Sequence, residues 1–187
     1  MGGTYDLPKP QWNNFATAIL KNWGLDGSMY ARTGLPVDLV GGFSLIPSFF
    51  ESRPDVVPGK PLYISDPSAP RGIQINPAAF APAAANTQGD FGRNVLRGFG
   101  AWQFDLGVRR DFPLYESLKL QFRAEMFNLF NHPNFGPPDH FLGDSTFGTP
   151  TQTLAESLGA GGQNGGFSPL YQIGGPRSIQ LALKLMF

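Results

Sequence analysis

Two histidines, His132 and His140, stand in one stretch with Asp139 and Asp144. Imidazole and carboxylate are common metal ligands, so this is where the sequence offers metal chemistry. The spacing matches no pattern with a mechanism behind it, and loop histidines are usually solvated. No metal is expected. The run Gly159-Ala160-Gly161-Gly162 and the pair Gly165-Gly166 follow no strand and open no helix. They lack the context of a phosphate-cradling loop and read as flexible loop. The chain has no cysteine, which excludes thiol catalysis, a disulfide framework and thiolate metal sites. No histidine lies near a plausible nucleophile, and no two carboxylates can be paired. The expectation is a protein that is not an enzyme, with no catalytic residues and no cofactor.

A second group is more ordered. Asp105, Arg109, Lys119, Gln121, Arg123, Glu125 and Lys184 each alternate with apolar neighbours. On strands they share a face. Two readings are open: a path for a polar ligand, or a cross-strand polar ladder that stabilises a wall. The ladder is the expected role.

The elements that carry these residues follow from the hydrophobic period. In Arg177–Phe187, Ile179, Leu181, Leu183, Leu185 and Phe187 alternate with Ser178, Gln180, Ala182, Lys184 and Met186. In Ala101–Phe112, Trp102, Phe104, Leu106 and Val108 share a face with Arg110 and Phe112. In Ser117–Phe130, Leu118, Leu120, Phe122, Ala124 and Met126 oppose Lys119, Gln121, Arg123 and Glu125. A period of two over such lengths predicts strands. Asn22–Arg32 alternates more weakly, and Asp26-Gly27 there could instead be a hairpin turn. Thr4–Leu7 reads as a strand end. The predicted strands are 4–7, 22–33, 101–112, 117–130 and 177–187, with loops over 34–100 and 131–176, in one partial barrel segment covering 1–187. Pro113–Glu116 reads as a tight turn.

Composition agrees with an apolar medium rather than disorder. Gly 24 and Pro 18 make up more than a fifth of the 187 residues, aromatics reach 13% with Phe 17, and charged residues are only 15%. A disordered chain shows few aromatics and many charges. The zero formal net charge gives no electrostatic case for nucleic acid. No apolar run is long enough for a transmembrane helix, and the first residues lack the basic and apolar regions of a signal peptide. The expectation is therefore a cytoplasmic chain or a piece whose export signal lies upstream.

A membrane β-barrel fits these features together. A tilted membrane strand needs roughly 9–11 residues, which each main run supplies. Short turns alternate with long loops, as on the two sides of outer-membrane barrels. With Phe187 at the periplasmic side, the Pro113–Glu116 turn falls in the periplasm and both long loops fall outside. Trp102 and Phe130 then lie near the outer interface, and Phe112, Tyr115 and Phe187 near the inner one, like aromatic girdles. Arg110 is the one charge on the predicted lipid face, placed where it can snorkel. A soluble antiparallel sheet with one wet face alternates in the same way. The alternative is thus a soluble or secreted β-rich binding module, with carbohydrate as one ligand class.

Several strings resemble a known family. Arg93–Gly98, Trp102–Leu106, Leu120–Glu125 and Phe127–Phe135, with Asn76–Phe80 and Gly34-Leu35-Pro36, are similar to the terminal strands of TonB-dependent receptors. The subgroup they resemble is the Oar-like, carboxypeptidase-regulatory-like-domain-containing one common in Acidobacteria. The resemblance implies an all-β fold: the C-terminal strands of a large antiparallel transmembrane barrel of about 22 strands with long extracellular loops. It implies a place in the outer membrane of a Gram-negative cell, within a transporter or receptor. The implied partners are outer-membrane lipid, the rest of the barrel and the plug domain, the barrel assembly machinery, and the TonB complex through an N-terminal part. Phe187, ending the last strand, resembles the assembly signal. Plug, TonB box and regulatory-like domain do not occur in these residues, so no independent transport is expected.

Overall fold

The computed structural model describes residues 1–8, 14–44, 50–159 and 173–187. Its main element is one five-stranded sheet. The strands are β1 (Gly2–Asp6), β2 (Trp23–Arg32), β3 (Ala101–Tyr115), β4 (Leu118–Phe127) and β5 (Ser178–Met186). They lie in the order β1-β2-β3-β4-β5, every neighbouring pair antiparallel. The fold is all-β and antiparallel, and the sheet is open, with β1 and β5 at its edges. Among the described residues no helix is long and apolar enough to cross a membrane.

The register carries the alternation of each strand into its neighbours. Trp23, Leu25, Gly27, Met29 and Ala31 stand opposite Arg110, Val108, Leu106, Phe104 and Trp102. Leu106, Val108, Arg110 and Phe112 stand opposite Met126, Ala124, Phe122 and Leu120. Those four in turn face Ile179, Leu181, Leu183 and Leu185. Directly opposed residues share a face, so one face is a continuous apolar surface interrupted by Arg110 alone. Among the described residues no other layer covers its β5 edge: Ile179 is 62% exposed and Leu183 71%.

β2 continues through Asp26 and Gly27 without turning. Their partners on β3 are Gly107 and Leu106, so the hairpin alternative for Asp26-Gly27 is not what the chain adopts. The turn after β3 is also shorter than Pro113–Glu116. Tyr115 pairs with Leu118, leaving Glu116 and Ser117 as a two-residue turn, with a register shift between Pro113 and Tyr115. A bulge tolerates a proline that could not donate to a regular ladder. Glu116 sits at φ 44°, a left-handed conformation such turns demand.

Between the strands lie two kinds of connection. At the turn end of the sheet are Glu116-Ser117 and the 7–22 connection, which holds helix α1 (Asn14–Leu20). At the opposite, loop end are 33–100 and 128–177. The sequence reads 34–100 and 131–176 as loop; among the described residues the first of them carries several short paired strands. Short antiparallel pairs join Pro36–Val37 to Leu96–Arg97, Gly42–Ser44 to Phe50–Ser52, Asp55–Val56 to Phe80–Ala81, and Tyr63–Ser65 to Ile73–Ile75. Between them they enclose a core of Val37, Leu39, Ile75, Ala79, Phe80, Phe91, Leu96 and Phe147. Phe80 packs edge-on against Phe91 at 5.1 Å and Phe147 at 6.2 Å. Phe147 comes from the second long connection, so both long segments form one loop body. Strands of two or three residues are too short to show a period, which is why alternation does not reveal them.

Candidate functional site

The polar face of the sheet holds all seven residues expected there. Arg109 stands opposite Gly24 on β2, and Gly24 opposite Asp6 on β1. Its guanidinium crosses β2 to reach Asp6 and lies 3.6 Å from Asp26. Gly24 makes that crossing possible, because a Cβ there would lie 2.6 Å from the guanidinium carbon. Arg123 on β4, directly across from Arg109, pairs with Glu125 at 2.7 Å and approaches Asp26 at 3.7 Å over Gly107. Two arginines face to face would repel; Asp6, Asp26 and Glu125 around them offset that. The cluster is half-exposed, so each pair contributes roughly 0.2–1 kcal/mol.

The other residues divide. Gln121 donates to Asp111 at 2.8 Å. Asp105 accepts from the Gln103 side chain at 2.7 Å, the Asn128 backbone N–H at 2.9 Å and the Ser28 hydroxyl at 3.4 Å. Lys119 and Lys184 make no ion pair with any described residue. The residues that tie this face together thus include Asp6, Asp26, Gly24 and Gly107, which sequence reasoning did not single out. For Asp26 and Gly24 the signal was the weak alternation of β2, where glycines dilute the pattern. Phe187 follows β5 at the turn end and is 90% exposed.

At the loop end the polar face is closed. Gln103 is 1% exposed and accepts from the Gly174 backbone at 2.7 Å. Asn128, at φ 50°, ends β4 and acts as a hub. Its side chain donates to the carbonyls of His132 and Gly175 and accepts from the His132 N–H. Its backbone N–H is the group held by Asp105. One buried amide thereby ties β3, the second long connection and the approach to β5. A terminating Asn is legible as a residue that tolerates the left-handed region; its partners are not.

The histidines do not meet. His132 stacks on Trp102 at 4.2 Å, beside Phe130, and His140 lies against Phe141. Burial, with the Arg71 charge, holds the His132 imidazole below its ordinary pKa. Burial raises the Asp139 carboxyl, but the Thr146 hydroxyl, the Phe141 N–H and His140 outweigh it, and its pKa is lowered. Among the described residues no three metal-ligating side chains gather.

The loop body also bears an open cleft of about 510 Å³, lined by Tyr63, Arg71, Gln74, Arg97, Phe99 and Pro138 among others. The Tyr63 hydroxyl donates to the Arg97 carbonyl at 2.9 Å and accepts from its N–H at 2.7 Å. Neither guanidinium has a carboxylate partner among the described residues. Apolar walls with two cations suit an anionic group on a largely apolar molecule.

Two chemistries therefore stand at opposite ends: a charge-laced wall and a loop body with a binding-sized cleft. A family model described as an outer membrane beta barrel domain matches residues 1–180. No curated protein and no solved structure matches the chain.

Proposed function

The chain belongs to the outer membrane beta barrel domain family, and from that premise we propose that it is the C-terminal wall of a TonB-dependent transporter or receptor in a Gram-negative outer membrane. The observation that carries the reading is the sheet's division into an uncovered apolar face and a charge-laced polar one, with both edges open. Such a sheet is half of a solvent boundary: lipid on one side, a polar lumen on the other. Open edges call for further strands, so the wall works as part of a larger barrel and does not transport alone. A soluble sheet would bury its apolar face under a second layer, and among the described residues none covers Ile179, Leu181 or Leu183.

In this role Asp6, Asp26, Arg109, Arg123 and Glu125 stiffen the wall, and Lys119 and Lys184 are left to meet the plug. The loop body faces the outside and offers its cleft to arriving solutes. Phe187 serves as the signal to the barrel assembly machinery. The protein binds no nucleic acid and catalyses no reaction in this reading. Its transport partner is the TonB complex, engaged through the N-terminal part of the parent.

The test is uptake by the full-length parent in cells with and without a working TonB complex. Uptake that disappears without TonB supports the proposal. Uptake unchanged without TonB, with the protein correctly in the outer membrane, leaves a barrel but removes the TonB-dependent transporter. Deleting Phe187 from the parent is expected to lower the amount of heat-modifiable barrel; normal levels would remove the assembly role.

A further inference from the structure

Helix α1 sits in a position that a plain periplasmic turn would not need. Its last carbonyls are held by two side chains from the apolar face of the sheet. Arg110 donates to the Ala18 carbonyl, and the Trp23 indole N–H donates to the Ile19 carbonyl at 2.8 Å. The Lys21 N–H takes the Thr17 carbonyl, and Asn22 at φ 63° stops the helix. The C-terminal carbonyls of a helix carry partial negative charge, so a guanidinium is a natural partner. Arg110 is further held over the rings of Trp23 at 5.2 Å and Phe112 at 4.6 Å. The one charge on the apolar face is therefore not snorkelling freely; it is a clamp.

Because Trp23 and Arg110 both belong to the apolar face, the clamp fixes which side of the wall α1 takes. It is the apolar side, at the turn end. The helix has no charged residue, reading NFATAIL. Phe15 and Ile19, four apart and hence on one helical face, are 77% and 45% exposed, and Leu20 is 41% exposed. Leu114 and Tyr115 at the end of β3 are exposed beside the same boundary. The apolar surface of the sheet thus continues onto an uncovered apolar helix.

We propose that α1 is a membrane-interfacial anchor, its Phe15, Ile19 and Leu20 side chains seated in the phospholipid headgroup–acyl boundary at the turn end of the wall. The inference rests on the barrel reading, since it takes the apolar face of the sheet as lipid-facing. Phospholipid is the occupant because the helix extends a surface already given to lipid. A short apolar helix lying in the interface plane is a known way to bind there.

The experiment uses the full-length parent, free of other cysteines, in phospholipid nanodiscs. Phe15→Cys and Ile19→Cys carry nitroxide labels, with Leu181→Cys as the lipid reference and Val95→Cys, exposed in the loop body, as the water reference. The expected ratio of oxygen to nickel-chelate accessibility at Phe15 and Ile19 is several-fold above that at Val95. Arg110→Ala is expected to raise the mobility of the Ile19 label while Leu181 stays in lipid. A water-like ratio at Phe15 and Ile19, or shielding from both reagents by a protein partner, overturns the anchor while leaving the barrel intact. A water-like ratio at Leu181 overturns the barrel reading itself and the anchor with it.

Discussion

In the wall, Leu181 and Leu183 point away from the protein and stay exposed. In the loop body, Leu39, Phe80 and Phe91 point inward and are almost wholly buried. The residue types are the same and the directions are opposite. In the proposed barrel the wall meets an apolar solvent and hides its charges on the other side, whereas the loop body hides its apolar groups in a core. A hydrophobic residue in this chain therefore signals burial only once its surrounding medium is known.

Substitutions can break this contrast from either side. The largest expected effect is in the loop body. Phe91→Ala removes a ring that is 2% exposed and should cost about 3–5 kcal/mol of that body's stability. Hydrogen exchange should rise across 36–97 while the strands of the wall keep their protection. Equal loss in both regions would mean that they fold as one unit.

Next comes a charge in the wall. Leu183→Arg in the full-length parent should cost roughly 2–4 kcal/mol if the site lies near the membrane midplane, visible as lost heat-modifiable barrel. Gln180→Arg, on the same strand but on the polar face opposite Glu125, should assemble nearly as the parent does. Equal effects of the two would erase the distinction between faces.

Asn128→Ala probes the joint between the regions. It leaves the Gly175 carbonyl and the His132 N–H without their partner, while the His132 carbonyl keeps only the Asn134 amide at 3.3 Å. A cost of about 1–3 kcal/mol is expected from unsatisfied buried groups. Faster exchange confined to 128–135 and 173–178 would check it; faster exchange throughout the loop body would assign the joint a wider role.

Two smaller effects sharpen the contrast. The lowered pKa of His132 means that the folded loop body resists protonation more than the unfolded chain does. Its contribution to stability is full above an ordinary histidine pKa of about 6.5 and is lost as pH falls below that. The loop body should therefore melt earlier at pH 5 than at pH 7.5, and His132→Phe, which keeps the stacking on Trp102, should reduce the difference. Gly24→Ala should displace the Arg109 guanidinium from Asp6 at a cost of roughly 0.2–1 kcal/mol, measured as a slight fall in the parent's unfolding midpoint in detergent. A large loss there would show that the backbone, and not a flexible side chain, had to move.

The sequence alone determined the wall. Its strands are long enough for a period of two to repeat, and a side chain's face follows from its parity. The apolar and polar faces of β3, β4 and β5 were thus readable before any partner was known, including the common side of Asp105, Arg109, Lys119, Gln121, Arg123, Glu125 and Lys184. Tertiary structure alone decided what those residues touch. Arg109 reaches Asp6 only because β1, β2 and β3 are adjacent and Gly24 leaves the space between them. The loop body was illegible for a related reason. Its core joins Val37, Ile75, Phe91 and Phe147 across distant parts of the chain, through strands too short to carry a pattern. Helix α1 shows both sources at once: its apolar residues are plain in the sequence, but its place on the apolar side of the sheet follows from Arg110 and Trp23 gripping its final carbonyls. Periodicity records how a side chain alternates along its own strand, while contact depends on which strands become neighbours, and only folding settles that.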